Sequence, residues 1–274
     1  MENKTFSGEL YRDDSMMEVK TSQFFNVGRL DLWLHRMQQA GVPWQGAFRD
    51  RLLSFYAVPQ RLAAEGPRIV LSPDNLQALG GDLPLARAAV LKNFHLMLLE
   101  ALPAGEAFTV NVKDLLRAYL HKSYFLAKSL EAVMPKPQAI EFHQKLVDVQ
   151  TRAEGTSDHP QQVADHLFAN QKLKGAFAEA FNYSERLLPG GRVAKKITKC
   201  KWCEVLREVN DPDYAYAVAC HYDFEATKVE NPAFTLTRAG TLIQGRPYCD
   251  FLFHDTRIDK DPAHLPEDFW AKMG

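Results

Sequence analysis

The chain carries almost no net charge. Lys and Arg number 33 against 34 Asp and Glu, leaving −1 over 274 residues. So even a balance argues against nucleic acid or an acidic membrane as the main partner. Cysteine is scarce, at four residues, too few to staple a chain of this length, so free thiols in an intracellular protein are expected. No apolar run approaches the roughly 20 residues of a membrane helix. The polar, mixed-charge opening Met1 to Phe6 does not read as a secretory signal. A cytoplasmic location follows as the expectation. Walker A, GxGxxG, GxSxG and HExxH patterns are all missing, which removes the phosphate loop, the dinucleotide fold, the nucleophile elbow and the zinc-protease helix from consideration. There is no internal repeat and no low-complexity tract.

What remains is enough for a core: 46% hydrophobic and 11% aromatic residues. Residues 1–20 are polar without periodicity and read as a tail or as an arm that lies on a partner. Between Ser22 and Ala57 apolar residues recur at helical spacing, and Gly41-Val42-Pro43 divides them into two helices. Residues 64–84 carry Gly and Pro and read as a connection. Pro84 opens the next helix. Another spans Val110 to Val133, ended by Pro135 and Pro137. Ala139 to about Arg152 follows. Ser157 or Asp158 then caps a helix expected from about Gln161 to Phe181.

After Leu187-Leu-Pro-Gly-Gly the pattern changes. Arg192 to Lys199 alternates and predicts a strand. Cys200 to Val209 predicts a short helix, and Asp211-Pro212 starts one running to about Glu225. Residues 233–243 and 248–254 predict a hairpin around Gln244-Gly245-Arg246-Pro247. The fold class is therefore α+β: a tail (1–20), a helical region (21–186) and a smaller part (187–274) with an antiparallel hairpin.

The chemistry-bearing residues gather in that last part. Cys220 and Asp223 stand three apart on a predicted helix and share a face. Tyr216 and Ala219 make that face apolar, so Asp223 points inward. It is either a base beside a thiol or a carboxylate capping a neighbouring backbone. His221 follows Cys220 directly and cannot face it on a helix. In the second hairpin strand Cys249 shares a face with Phe251 and Phe253, while Asp250 lies on the other. If Ile243 opposes Tyr248, Leu242, Gly240 and Arg238 join the Cys249 face. Gly240 then opens space beside the aromatic residues, and Arg238 is placed to clamp a carboxylate. A slip of one residue reverses this. The alternative for Cys249 is a small buried hydrophobe. Cys200-Lys-Trp-Cys203 has CxxC spacing, which suits zinc or a redox pair, and a mixed zinc site from Cys200, Cys220, Cys249 and Asp223 is the metal alternative. Among the histidines, His159 and His166 are the candidate distal bases.

Three segments together resemble the L-2-amino-thiazoline-4-carboxylic acid hydrolase family. They are Cys200 with Glu204 four residues on, Cys220-x-x-Asp223, and Arg238-Ala-Gly-Thr241-Leu-Ile-Gln-Gly-Arg-Pro-Tyr-Cys249-Asp250-Phe251. The resemblance covers about residues 192–255. It departs from the family pattern at Ala239, usually threonine, and at Leu252, where arginine is common. The resemblance implies hydrolytic opening of a small cyclic amidine, at a C–N bond, with no cofactor. It implies Cys249, Cys220, Asp223 and Asp250 as the catalytic set and Arg238, Thr241 and Cys200 as the substrate-binding set. The Gly-x-x-x-Cys pattern is also similar to small-ligand sensor domains related to vinyl reductases, in which cysteines and a glutamate hold zinc. On that alternative the protein binds a ligand without catalysis. A structural protein whose cysteines only pack is the third reading. The partner on the first is a small-molecule substrate. The apolar helical part and the polar N-terminal stretch leave room for a homodimer.

Overall fold

A computed structural model of the chain describes residues 5–21, 28–64, 82–155, 162–165 and 178–274. It is α+β, with helices concentrated in the first half and an antiparallel sheet in the second. Two compact units can be told apart: residues 14–146, and residues 1–13 together with 147–274. Among the described residues, no helix is long and apolar enough to cross a membrane.

The 14–146 unit contains α1 (Gly28–Gln39), α2 (Ala47–Phe55), α3 (Gln60–Ala64), α4 (Leu83–Leu96) and α5 (Val112–Ser129). It also holds the antiparallel pair β2 (Met16–Lys20) and β3 (Ala107–Asn111). Helix α6 (Lys136–Glu154) carries the chain across the unit boundary. The helices start where the sequence supplies caps. Asp82 accepts the Leu85 N–H at 3.0 Å, with Pro84 in the first turn of α4. Asn111 accepts the Lys113 N–H at 2.8 Å ahead of α5. Leu30, Leu34, Met37, Phe48, Leu52, Leu85 and Phe94 are fully buried, and Phe55 stacks on Phe125 with ring centres 5.0 Å apart.

The other unit is a five-stranded antiparallel sheet in the order β1-β4-β5-β7-β6. Its strands are β1 (Thr5–Glu9), β4 (Phe181–Leu188), β5 (Arg192–Cys200), β6 (Phe234–Thr237) and β7 (Cys249–Asp255). Helices α7 (Lys201–Arg207), α8 (Pro212–Ala215), α9 (Tyr222–Glu230) and α10 (Glu267–Lys272) complete it, with a single π turn at Tyr216–Cys220 between α8 and α9. One sheet face, through Ala194 and Leu252, packs on Trp270 and Met273 of the C-terminal segment. The β4–β5 turn uses Gly190 and Gly191, both at positive φ (77° and 69°), the conformation glycine adopts without a Cβ penalty.

Several expectations need correcting. Residues 5–9 and 16–20, expected within a polar tail, are strands. Edge strands are held by backbone bonds to β4 and β3, which need no side-chain periodicity. The helix expected from Val110 begins at Val112, because 107–111 pairs with β2. The helix expected over 161–181 falls mostly outside the described residues. Its last positions are a 3-10 turn, and Phe181 already belongs to β4. The expected long hairpin is shorter: β6 and β7 pair only from Phe234↔Asp255 to Thr237↔Leu252, leaving 238–248 as a loop. That loop is drawn off the sheet edge because the Ala239 and Gly240 N–H groups donate to Asp250 (2.8 and 3.0 Å), not to a strand.

Candidate active site

The sheet face opposite Trp270 forms one wall of a cavity of about 360 Å³. Residues directly opposite on neighbouring strands share a face, and the register sets three such rows: Tyr183↔Ile197↔Cys249, Lys195↔Phe251 and Val193↔Phe253. Tyr183, Lys195, Ile197, Cys249, Phe251 and Phe253 all line the cavity. Simple alternation would turn Cys200 away, since it lies three residues beyond Ile197. The register shift between Asn182 and Tyr183 leaves Thr198 as an extra residue on β5. The bulge returns Cys200 to the face of Lys195 and Ile197, opposite Phe181.

The second wall is helical. Trp202 and Cys203 come from α7, Ala219 and Cys220 from the π turn, and Tyr222, Asp223, Ala226, Thr227 and Glu230 from α9. Cys220 and Asp223 therefore meet on one wall, as the spacing implied. Cys220 closes the π turn, in which the His221 N–H bonds the Tyr216 carbonyl five residues back at 3.0 Å and widens the helix, and Asp223 lies in the first turn of α9. His221 turns away, with its Nε2 2.9 Å from Asp148 Oδ1.

Arg238 holds this wall from behind. Its guanidinium is 1% exposed and does not line the cavity. It donates to Asp223 Oδ2 (2.7 Å), Tyr216 Oη (3.0 Å) and the Cys220 carbonyl (2.7 Å). It also lies 4.8–5.3 Å from the ring centres of Phe224, Phe251 and Tyr216. Arg238 is thus a brace for Asp223 and the π turn. The expectation that it clamps a substrate carboxylate assumed a strand at 238–243, and the chain is a loop there.

Asp250 and Thr241 are also placed away from the cavity. Asp250, on the other face of β7, is 1% exposed and pins the loop through Ala239 and Gly240. Its Oδ2 is 3.5 Å from His264 Nε2. Burial works against its charge, yet His264 and the two backbone N–H groups hold its carboxyl below the usual range. Thr241 is fully buried and shapes the turn by donating to Gln244 Oε1 at 2.9 Å. A Cβ at Gly240 would meet the Arg246 side chain at 2.6 Å, not the aromatic residues it was expected to clear. His159 and His166 lie outside the described residues.

Burial dominates the electrostatics. It pushes the Cys249 thiol up to about 11, partly offset by the Leu242 N–H, which donates to Sγ at 3.2 Å. Burial raises Cys200 further, against the Cys203 and Trp202 backbone N–H groups. Cys220 is driven well above its ordinary value by burial and by the Asp223 charge. Burial also raises the Asp223 carboxyl, which Arg238 and Lys195 pull only partway back. Cys200, Cys220 and Cys249 feel one another's charge, as thiols on one small cavity must. Among the described residues, no group of three or more His, Cys, Asp or Glu side chains is disposed to hold a metal ion.

Residues 116–253, half of the chain, match the family model described as L-2-amino-thiazoline-4-carboxylic acid hydrolase. The chain belongs to this hydrolase family. The matched segment contains every residue of the cavity wall except Leu10. Over 108 residues the chain is also 32% identical to phenoxybenzoate dioxygenase subunit beta of Ectopseudomonas oleovorans, covering 39% of this chain and 34% of that protein. The chain thus spans about a third of that relative. No solved structure matches the chain.

Within the hydrolase-family segments, the structure brings Cys200, Cys220, Asp223 and Cys249 to one cavity and leaves Arg238, Thr241 and Asp250 as the scaffold behind it. Lys195 and the aromatic residues of β4 and α7 were not marked by the motifs, whereas Phe251 and Phe253 stand on the Cys249 face as expected. The signal for Lys195 lay in the β5 alternation, which puts it in phase with Ile197. Only the pairing with β7 shows that this phase faces Cys249.

Proposed function

We propose that the protein hydrolyses a small cyclic amidine of the 2-amino-thiazoline-4-carboxylate type, with Asp223 as the base. The observation that carries this reading is the position of Asp223. In a chain of this hydrolase family it is a carboxylate raised by burial, braced by Arg238, and set beside Cys220 on the wall of an apolar cavity. A raised carboxylate is a better proton acceptor near neutral pH. It also attracts the cationic amidine.

Water is the nucleophile in this scheme, because burial pushes the thiols on the wall up and no resting thiolate waits there. Asp223 takes one proton as the water oxygen bonds to the carbon between nitrogen and sulfur, and the C=N electron pair moves to the ring nitrogen. The C–N bond then breaks as that nitrogen receives the proton from Asp223 and leaves as an amine, while the remaining hydroxyl proton passes to the freed Asp223 carboxylate, and from there to solvent, as the C=O forms. The product carries the carbamoyl group on sulfur. Cys220 and Cys249 pack around the ring.

The test is to incubate the protein with 2-amino-2-thiazoline-4-carboxylate in ¹⁸O-water and to follow ring opening by mass spectrometry. One ¹⁸O per carbamoyl group is expected, and Asp223→Asn should lower kcat by about a hundredfold or more. A covalent protein adduct, or full activity in Asp223→Asn, would sink this mechanism.

A further inference from the structure

We propose that the cavity takes a heterocyclic carboxylate bulkier than the bare aminothiazoline acid, carrying an aryl-sized apolar group, and that Lys195 binds its carboxylate. Only the placement of the cationic end on Asp223 rests on the ring-opening reading above.

Charge on the cavity is segregated. Among the described residues Lys195 is the one cation on its wall, while Asp223 and Glu230 stand on the helical side. Lys195 sits mid-strand on β5, between β4 and β7, paired opposite Glu185 and Phe251. Its side chain is 14% exposed, with Nζ 3.2 Å from Glu185 Oε1 and 4.7 Å from the centre of the Tyr183 ring. An ammonium has three donors and Glu185 occupies one. Its charge already reaches Asp223 and lowers that carboxyl against burial. A ligand with an anionic and a cationic end is thus oriented across the cavity, carboxylate to the sheet and cation to the helix. Arg238 cannot take the first role, since its donors are directed to Asp223, Tyr216 and the Cys220 carbonyl behind the wall.

The remaining wall is aromatic. Phe181 and Trp202 stack with centres 4.8 Å apart and planes within 8°. Phe251 and Phe253 lie 6.2 Å apart along β7, and Tyr183 completes the set. At about 360 Å³, the cavity falls in the range, roughly 300–1,000 Å³, that encloses drug-sized ligands. A single five-membered ring with a carboxylate leaves much of that aromatic surface bare, whereas an aryl group covers it and gains by its area and ring geometry.

The experiment is calorimetric titration with three probes: 2-amino-2-thiazoline-4-carboxylate, its 5-phenyl derivative, and the methyl ester of that derivative. Wild-type protein should bind the 5-phenyl acid at least about tenfold tighter than the parent acid and about tenfold tighter than the ester. Lys195→Met should bring the acid down to the ester's affinity and leave the ester unchanged. Equal binding of parent and 5-phenyl acids would overturn the aromatic subsite. Equal binding of 5-phenyl acid and ester by wild type would overturn the carboxylate contact, a comparison that stands even if Lys195→Met does not fold. Loss of acid and ester alike in a folded Lys195→Met would also overturn that contact, by making Lys195 a structural residue. Ring opening is read separately on the same samples. Tight binding of the 5-phenyl acid with turnover of neither acid removes the hydrolase reading and keeps this one, whereas turnover of the parent acid without the phenyl preference does the reverse.

Discussion

Replacing Arg238 with methionine keeps most of the volume between Tyr216, Phe224 and Phe251 but removes the charge that faces Asp223. Three donor contacts go with it, to Asp223 Oδ2, Tyr216 Oη and the Cys220 carbonyl. Removing one partner of a buried ion pair costs about 3–5 kcal/mol, because the other charge stays behind uncompensated. The Asp223 side chain keeps 31% of its surface open, toward the cavity, so the lower end, about 3 kcal/mol, is expected for Arg238→Met. Adding Asp223→Asn removes the orphaned charge and should return about 1–2 kcal/mol, a coupling in the range for groups in direct contact. Two compact units make a single unfolding curve ambiguous. The measurement is therefore peptide-resolved hydrogen exchange over residues 212–230 and 249–255. A loss below about 1 kcal/mol in Arg238→Met, or no relief in the double variant, would refute the brace and return Arg238 to the list of ligand-facing groups.

Two further outcomes follow from the buried groups. Alkylation of Cys249 by iodoacetamide, mapped by peptide mass spectrometry, should be slow at neutral pH and rise with a midpoint at about 11; a midpoint near the free-thiol value would contradict its burial. Asp223 titrates above its ordinary value in the folded chain. Its contribution is then present below the unfolded pKa, about 3.9, and is lost as pH rises through the folded one. Wild type should lose melting temperature relative to Asp223→Asn as pH climbs from that value toward neutrality, and a constant difference, or one of opposite sign, would show that burial does not dominate at this carboxyl.

The helices of the first half were visible in the sequence because Gly41-Val42-Pro43 and Pro84 punctuate a strong apolar period. The strand at 192–199 and the helix after Cys200 were visible for the same kind of reason. Strands β1 and β4 were not. Segment Phe181–Leu188 has a single buried position, so no apolar alternation marks it, and β1 pairs with it through the backbone, which leaves no periodic signal in the sequence. The family motifs named Cys200, Cys220, Asp223 and Cys249, and these four line one cavity, since local spacing on one helix and one strand suffices to pick them out. The face expected for Arg238 was wrong, because it required the hairpin to continue through residue 238, and Asp250, on the opposite face as expected, draws Ala239 and Gly240 away from the ladder.

The sequence by itself determined the fold class, the even charge, the family and the identity of the thiols and carboxylate that meet. Those follow from composition and from spacings of a few residues, over which backbone geometry is nearly fixed. The tertiary structure alone decided which side each residue faces. The Thr198 bulge turns Cys200 inward, the β5–β7 register puts Lys195 beside Phe251, and burial raises the thiols and Asp223. Register and desolvation depend on neighbours far away along the chain, and no local pattern encodes them.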